Sequence, residues 1–297
     1  MIPGLNLIEK DLNEKITSIL DKIGVHYRIF SRTKSRESIA EKIERKKTEG
    51  NPYEINGKLM QDIIGIRIVT YFIDDINIVY SILKKNLIFF DEEIDDLELT
   101  VFKPKRTNII CKFKTEHSKT FNEIKYTIDD ENFKLIDNTF ELQLRTILSE
   151  GWHEIDHSLR YKCKKDWDNH KEEERLLNGI YASLETNDIA LKNLFNELAY
   201  KHYKNKNWEG LIKTKFRIKI QLKPLNEDII NVLNHSNIGK KIFRIDRRVF
   251  LTKISNNEFT LPLNLNNIIY LLNIFEFKET SIFEITPEII LKEFELT

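Results

Sequence analysis

The chain has 297 residues, 41% hydrophobic and 32% charged, which suits a soluble globular protein with a sizeable core and room for more than one domain. Lys plus Arg (47) equals Asp plus Glu (47), so no whole-molecule field draws the protein to nucleic acid or membrane, and any polyanion site must be local. Two cysteines, Cys111 and Cys163, exclude a disulfide framework or a cysteine-rich zinc module; with no leader-like amino terminus and no apolar run of about 18 residues, a cytoplasmic protein without a membrane partner is expected.

Apolar residues at helical spacing predict a helix over 5–23, stopped at Gly24. A strand follows at 26–32, a basic helix at 35–47, a β-branched strand at 65–72 and an amphipathic helix at 74–86. Short strands are expected near 98–103, 108–114, 121–128 and 133–145. Helical patterns resume at 147 and run from about 171 to 203, with three more around 225–252, 263–275 and 286–294. The predicted fold is α+β, a mixed sheet flanked by helices over residues 1–203, followed by a small, mainly helical domain of unassigned role at 205–297.

Charge is clustered locally. Residues 28–47 hold eight basic side chains against three acids, 91–98 hold six acids and no base, and 103–119 hold six bases against Glu116. In FELQLRT, 140–146, Glu141, Gln143 and Arg145 alternate with Phe140, Leu142 and Leu144, so a strand would bury the apolar set and align the polar one opposite. Arg67, between Ile66 and Ile68, would share that polar face if the two strands are neighbours. Asp62 and Glu141 converging near Arg32, Lys34 and Arg67 would suit metal-assisted phosphoryl transfer; a structural salt-bridge cluster fits the spacing too, and alternating strands are common. HEIDH, 153–157, is a competing motif in which His153 and His157 would bind zinc with Glu154 as base. Its best third ligands, 172–174, fall in a charged break, and ordinary surface histidines are the favoured reading.

Four segments in order, RTKSRES (Arg32, Lys34, Ser38), DIIGIRI (Asp62, Gly65, Arg67), FELQLRT (Glu141, Gln143, Arg145) and WHEIDHSLRYK (His157, Tyr161, Lys162), resemble the motifs of the RelA/SpoT-type synthetase domain, the (p)ppGpp synthetases. The resemblance covers about 25–165, with a helical extension like that of small alarmone synthetases. It implies an ATP-dependent pyrophosphokinase that transfers the β,γ-diphosphate of ATP to a ribose 3′-hydroxyl of GDP, GTP or another nucleotide. It further implies Mg²⁺ on Asp62 and Glu141, with Glu141 also taking the hydroxyl proton. Arg32 and Arg67 would sandwich adenine, Lys34 and Ser38 would hold ATP phosphates, and Gln143, Arg145, His157, Tyr161 and Lys162 would support the site or the acceptor. No histidine-aspartate hydrolase domain precedes the motifs, so alarmone hydrolysis is not expected, and self-association into a homo-oligomer is left open.

One departure stands out. The family's acceptor loop has a Gly-Tyr-x-Ser-x-His pattern whose tyrosine stacks on guanine; after Pro104 and Lys105 this chain has Asn108, Ile109, Cys111 and Phe113 instead. Phe113, Phe121 and Tyr126 are the candidate replacement rings, each more simply read as a plain strand residue. A toxin-like enzyme that pyrophosphorylates the tRNA 3′ end, gripping RNA along 103–119, is the nearest alternative. A non-catalytic nucleotide sensor is the alternative of another class.

Overall fold

The alternation of apolar and polar residues in three segments builds the centre of the structure. In the computed structural model, which describes residues 2–95, 102, 105–128 and 130–296, the chain divides into two compact units. The first comprises residues to Ser18, Tyr27–Tyr71 and Val79–Thr186; the second comprises Ile19–His26, Phe72–Ile78 and the residues from Asn187 onward.

The first unit carries a five-stranded mixed sheet of order β1-β2-β5-β4-β3, with β1 Tyr27–Thr33, β2 Ile64–Thr70, β3 Ile88–Ile94, β4 Thr107–Lys112 and β5 Thr139–Thr146. Only β2 and β5 are parallel, in the register Gly65↔Glu141, Arg67↔Gln143 and Val69↔Arg145. One sheet face is apolar and buried, through Ile64, Ile66, Ile68, Phe140, Leu142, Leu144, Ile109 and Cys111. Helix α1 (Pro3–Ile23) presents Leu5, Ile8, Leu12 and Ile16 to the core and is fastened to β1 by Asn13 donating to Ser31 and Thr33 to Asn6. It meets α4 (Thr115–Thr127) where Asp11 contacts His117. Helices α2 (Arg36–Thr48), α3 (Ile73–Asn86), α5 (Glu131–Lys134), α6 (Ile147–Ile155) and α7 (Lys171–Lys204) complete the order, and a π-helical turn, Asp156–Tyr161, continues directly from α6.

Several expectations are corrected. The segment 121–128 is not a strand but most of α4: Phe121 and His117 are buried one turn apart while Tyr126 is 94% exposed, a helical pattern that the alternation of Ile124, Tyr126 and Ile128 disguises. The strand expected over 133–145 begins only at Thr139, because Glu131–Lys134 forms α5, whose side Phe133 is buried. The strand expected at 98–103 falls almost wholly outside the described residues, as does Pro104. β3, hidden in the acidic run, is an edge strand, which needs pairing on one side only and so tolerates exposed acids.

In the second unit α1 ends at Gly24, whose φ of +70° suits glycine, and Gly24 O accepts from Lys219 N. Helices α8 (Trp208–Phe216), α9 (Glu227–Asn234), α10 (Ile238–Arg244), α11 (Arg247–Asn256), α12 (Leu265–Leu272), α13 (Thr280–Phe283) and α14 (Glu288–Glu293) follow, capped by Asn207, Asp246 and Asn264 at α8, α11 and α12. α8 lies ahead of the helical patterns expected for this region. Phe216 and Phe250 meet with ring centroids 5.0 Å apart in its core. Among the described residues no helix is long and apolar enough to cross a membrane.

A buried ion-pair cluster secures this unit. Asp75, fully buried, pairs with Arg247, which also donates to the carbonyl of Phe216 that ends α8; Arg217 pairs with Asp74 and lies 4.5 Å over the Phe72 ring. Removing one member leaves a buried charge uncompensated, so Asp75→Asn should lower unfolding free energy by about 3–5 kcal/mol. Urea denaturation followed by tryptophan fluorescence measures this; an unchanged midpoint would show the pair to be dispensable.

Candidate active site

The polar face of the sheet is open, and its floor is set by register. Arg32 on β1, Gly65 on β2 and Glu141 on β5 lie side by side, and Gly65 contributes no side chain between the other two. The next row is Phe30, Arg67, Gln143 and Asn108. Above this floor lies a cleft of about 1010 Å³, walled by α2 with its leading loop, by the start of β4 and by the π-helical turn. Arg32, Lys34, Ser38, Asp62, Glu141, Gln143, Arg145, His157, Tyr161 and Lys162 all line it. The sequence motifs therefore converge, with one displacement: Arg67 faces a smaller recess of about 100 Å³ that shares Arg32, Glu141 and Gln143 with the cleft.

Asp62 sits immediately before β2, where Met60 and Ile136 bridge and Thr139 donates to Gln61 O, so the backbone that carries it is fixed. Its Oδ2 receives Lys42 at 2.5 Å and Lys34 at 3.1 Å, while its Oδ1 is buried with no hydrogen-bond partner. Burial opposes the charged form of Asp62, but the ammoniums of Lys34 and Lys42 overcome it and hold the carboxyl below its usual range. Burial lowers the Lys34 ammonium despite Asp62.

The second cluster is built on β5 and α6. Thr146 caps α6 in a capping box with Ser149, which fixes the helix start and with it Glu150. Glu150 takes Arg67 at 2.6 Å and Arg145 at 3.1 Å; Glu154 also pairs with Arg67, and Gln143 Oε1 accepts from both guanidiniums, at 3.1 and 3.2 Å. Arg67 is thus oriented by two carboxylates and an amide. The HEIDH residues are used otherwise than in a zinc helix. Glu154 serves Arg67, His153 stands edge-on to Trp152 and Tyr181, and His157 stacks parallel to Tyr161 beyond the junction with the π-helical turn. Among the described residues no group of three or more His, Cys, Asp and Glu is placed to hold a metal by itself.

Residues 31–166 match the model of the region found in RelA / SpoT proteins. This segment is similar to the RelA/SpoT region. GTP pyrophosphokinase YjbM of Bacillus subtilis (strain 168) is 29% identical over 138 residues, 45% of this chain and 56% of its own length. GTP pyrophosphokinase YwaC of the same organism is 30% identical over 141 residues, 46% and 59%. The chain thus spans less than two thirds of the length of these curated relatives. The crystal structure of small alarmone synthetase 1 from Bacillus subtilis is similar over 66% of this chain and 94% of that one, at 20% identity and a TM-score of 0.47.

Within this segment, sequence reasoning missed Lys42, Arg45, Lys105, Arg106 and Asn108, which also line the cleft. Lys42 and Arg45 were readable as a basic helix, and a spacing of one turn or so from Ser38 was the available signal. The candidate replacement rings lie outside the cleft, as their simpler reading as packing residues has it for two of them: Phe113 is buried, stacked on Phe140 and edge-on to Phe121, itself fully buried, while Tyr126 stands exposed on α4. The basic stretch is partly neutralised, since Arg106 pairs with Glu93 and Asp95 across the β3–β4 hairpin and Lys105 pairs with Glu185.

Burial, reinforced by Arg145 and Arg67, pushes the His153 imidazole down to about 4, so it is neutral in the folded domain at pH 7. A histidine that binds its proton more readily unfolded than folded makes stability fall as pH drops from about 6.5 toward 4. The expected loss is on the order of 3 kcal/mol, and His153→Gln should flatten that part of a stability-against-pH curve. An unchanged slope in the variant would place the titration elsewhere.

Proposed function

We propose that the protein is an ATP-dependent pyrophosphokinase that transfers the β,γ-diphosphate of ATP to a ribose 3′-hydroxyl of a nucleotide. The observation that carries this reading is the cationic cleft whose lining includes the carboxylates Asp62 and Glu141, within the segment that matches the RelA/SpoT region. The curated relatives bear the same class of activity in their names.

In this reading Arg32 and Arg67 flank the adenine from neighbouring strands, with Arg67 kept in orientation by Glu150 and Glu154. Lys34, Lys42 and Arg45, with Ser38, line the cleft where the phosphates lie. Their fixed positive charge stabilises negative charge that shifts toward the leaving AMP. The acceptor oxygen bonds to the β-phosphorus, the bond from the β-phosphorus to the α,β-bridging oxygen breaks, and AMP leaves with that oxygen. Glu141 accepts the hydroxyl proton.

The residues fit Mg²⁺: the buried, unpartnered Oδ1 of Asp62 has an acceptor to offer, and this ion commonly takes one or two carboxylates plus substrate phosphates. Asp62 and Glu141 would hold it, and when bound it would neutralise charge on the transferring diphosphate. Lys34 and Lys42, which share Asp62 Oδ2, would stand beside the phosphates.

The test is incubation with ATP labelled in the γ-phosphate, Mg²⁺ and, in parallel, GDP, GTP, other nucleotides and bulk tRNA. AMP should appear in step with labelled product. Asp62→Asn and Glu141→Gln should each reduce kcat by roughly 100-fold or more while leaving the circular dichroism spectrum intact. Label passing chiefly to tRNA would favour the toxin-like reading, and ATP binding without turnover the sensor.

A further inference from the structure

The cleft needs a place for the acceptor's base, and Phe113, Phe121 and Tyr126 do not line it. The aromatic residues lining the cleft among the described residues are His153, His157 and Tyr161. His153 is packed against Trp152 and Tyr181. Tyr161 is 46% exposed and parallel to His157, with ring centroids 6.0 Å apart and planes 11° from one another.

Tyr161 also lines a second recess of about 340 Å³, which it shares with Arg160, Lys164, Trp167, Lys171 and Glu174. It therefore stands where the cleft and the recess adjoin. Trp167 donates its indole N–H to Leu159 O at 2.7 Å, which fixes its ring in the recess wall. Tyr161 itself is the last residue of the π-helical turn. Such turns are rare and redirect the side chains that follow; a regular α-helix would aim residue 161 differently.

Charge divides the two spaces. The cleft is lined by eight Lys and Arg side chains against four Asp and Glu, whereas in the recess Arg160 is taken by Asp156 and Glu174, leaving Lys164 and Lys171 beside Asp168. A near-neutral recess with two aromatic rings suits an uncharged nucleobase, and the strongly cationic cleft suits the phosphates. Lys164 Nζ lies 4.7 Å from the Tyr161 ring centroid, and its flexible stem can yield to a base.

We propose that Tyr161 is the platform for the acceptor's base, which lies in the recess between Tyr161 and Trp167 while the ribose and phosphates extend into the cleft. The proposal rests on the transferase reading for its ligand, a nucleotide acceptor. It replaces the missing loop tyrosine by a ring from a different element.

The test separates the two. Binding of GDP, GTP and ADP is measured by calorimetry with the cleft saturated by a non-hydrolysable ATP analogue, for the wild type, Tyr161→Ala and Tyr161→Phe. Loss of one base stack should weaken the acceptor's Kd by roughly 10- to 100-fold in Tyr161→Ala, with the analogue's own Kd unchanged, and Tyr161→Phe should restore most of it. Equal weakening of acceptor and analogue, or an unchanged acceptor Kd in Tyr161→Ala, overturns the proposal. Absence of any second nucleotide on the wild type overturns it as well, and AMP release measured on the same sample shows whether the transferase reading falls with it.

Discussion

The parallel register of β2 against β5 is the constraint on which both the core and the cleft of the first unit depend. Side chains alternate with a period of two, so the same pairing that sends Ile66, Ile68, Leu142 and Leu144 inward sets Arg67, Glu141 and Gln143 on the open face. A slip of one residue would bury charges and expose isoleucines together. Burial of several aliphatic side chains, each worth about 1.5–3 kcal/mol, makes that slip prohibitive. The hydrophobic core thereby fixes which polar groups meet, although it touches none of the chemistry.

Electrostatics then refines what register has placed. Asp62 arrives from just before β2, and its carboxylate draws Lys34 from the end of β1 and Lys42 from α2. Groups from three successive segments of the chain converge on one oxygen. The Arg67 cluster works in the opposite sense: a cation on the central strand is held by acids on α6, whose start is set by the Thr146 cap. Both clusters are partly buried, so their attraction is less screened than a surface pair, and each restrains side chains that would otherwise be mobile.

Much of this is legible in the sequence wherever one periodicity dominates. α1, β1, α2, β2, α3 and β5 follow from apolar spacing and end signals, and the alternate polar residues of β5 foretell the open face. Where two periods compete, the reading fails. In α4, Phe121 and His117 obey a helical spacing while Ile124, Tyr126 and Ile128 imitate a strand, and the packing of Phe121 on Phe113 decides the outcome. β3 was unreadable because its acids serve a partner, Arg106, that sequence distance conceals. Lys42 and Arg45 look like any solvated helix face until Asp62 is set opposite. The π-helical turn has no sequence signature at all, yet it determines where Tyr161 points.

The tether at Lys105 has a consequence for how the cleft responds to salt. Its backbone N–H donates to Tyr181 Oη at 3.0 Å and its ammonium pairs with Glu185, which is only 7% exposed and keeps a second oxygen buried without a partner. Drawing that ammonium onto a phosphate would strand a buried carboxylate, so Lys105 adds to the local potential without being free to make contact. The cations of the cleft therefore differ in availability: Lys105 and Arg145 are held by their own acids, while Lys34 and Lys42 share a single oxygen. Dissolved ions compete most effectively with solvent-accessible, loosely held charge, so the ionic-strength dependence of nucleotide affinity should be shallower than the number of basic side chains around the cleft implies.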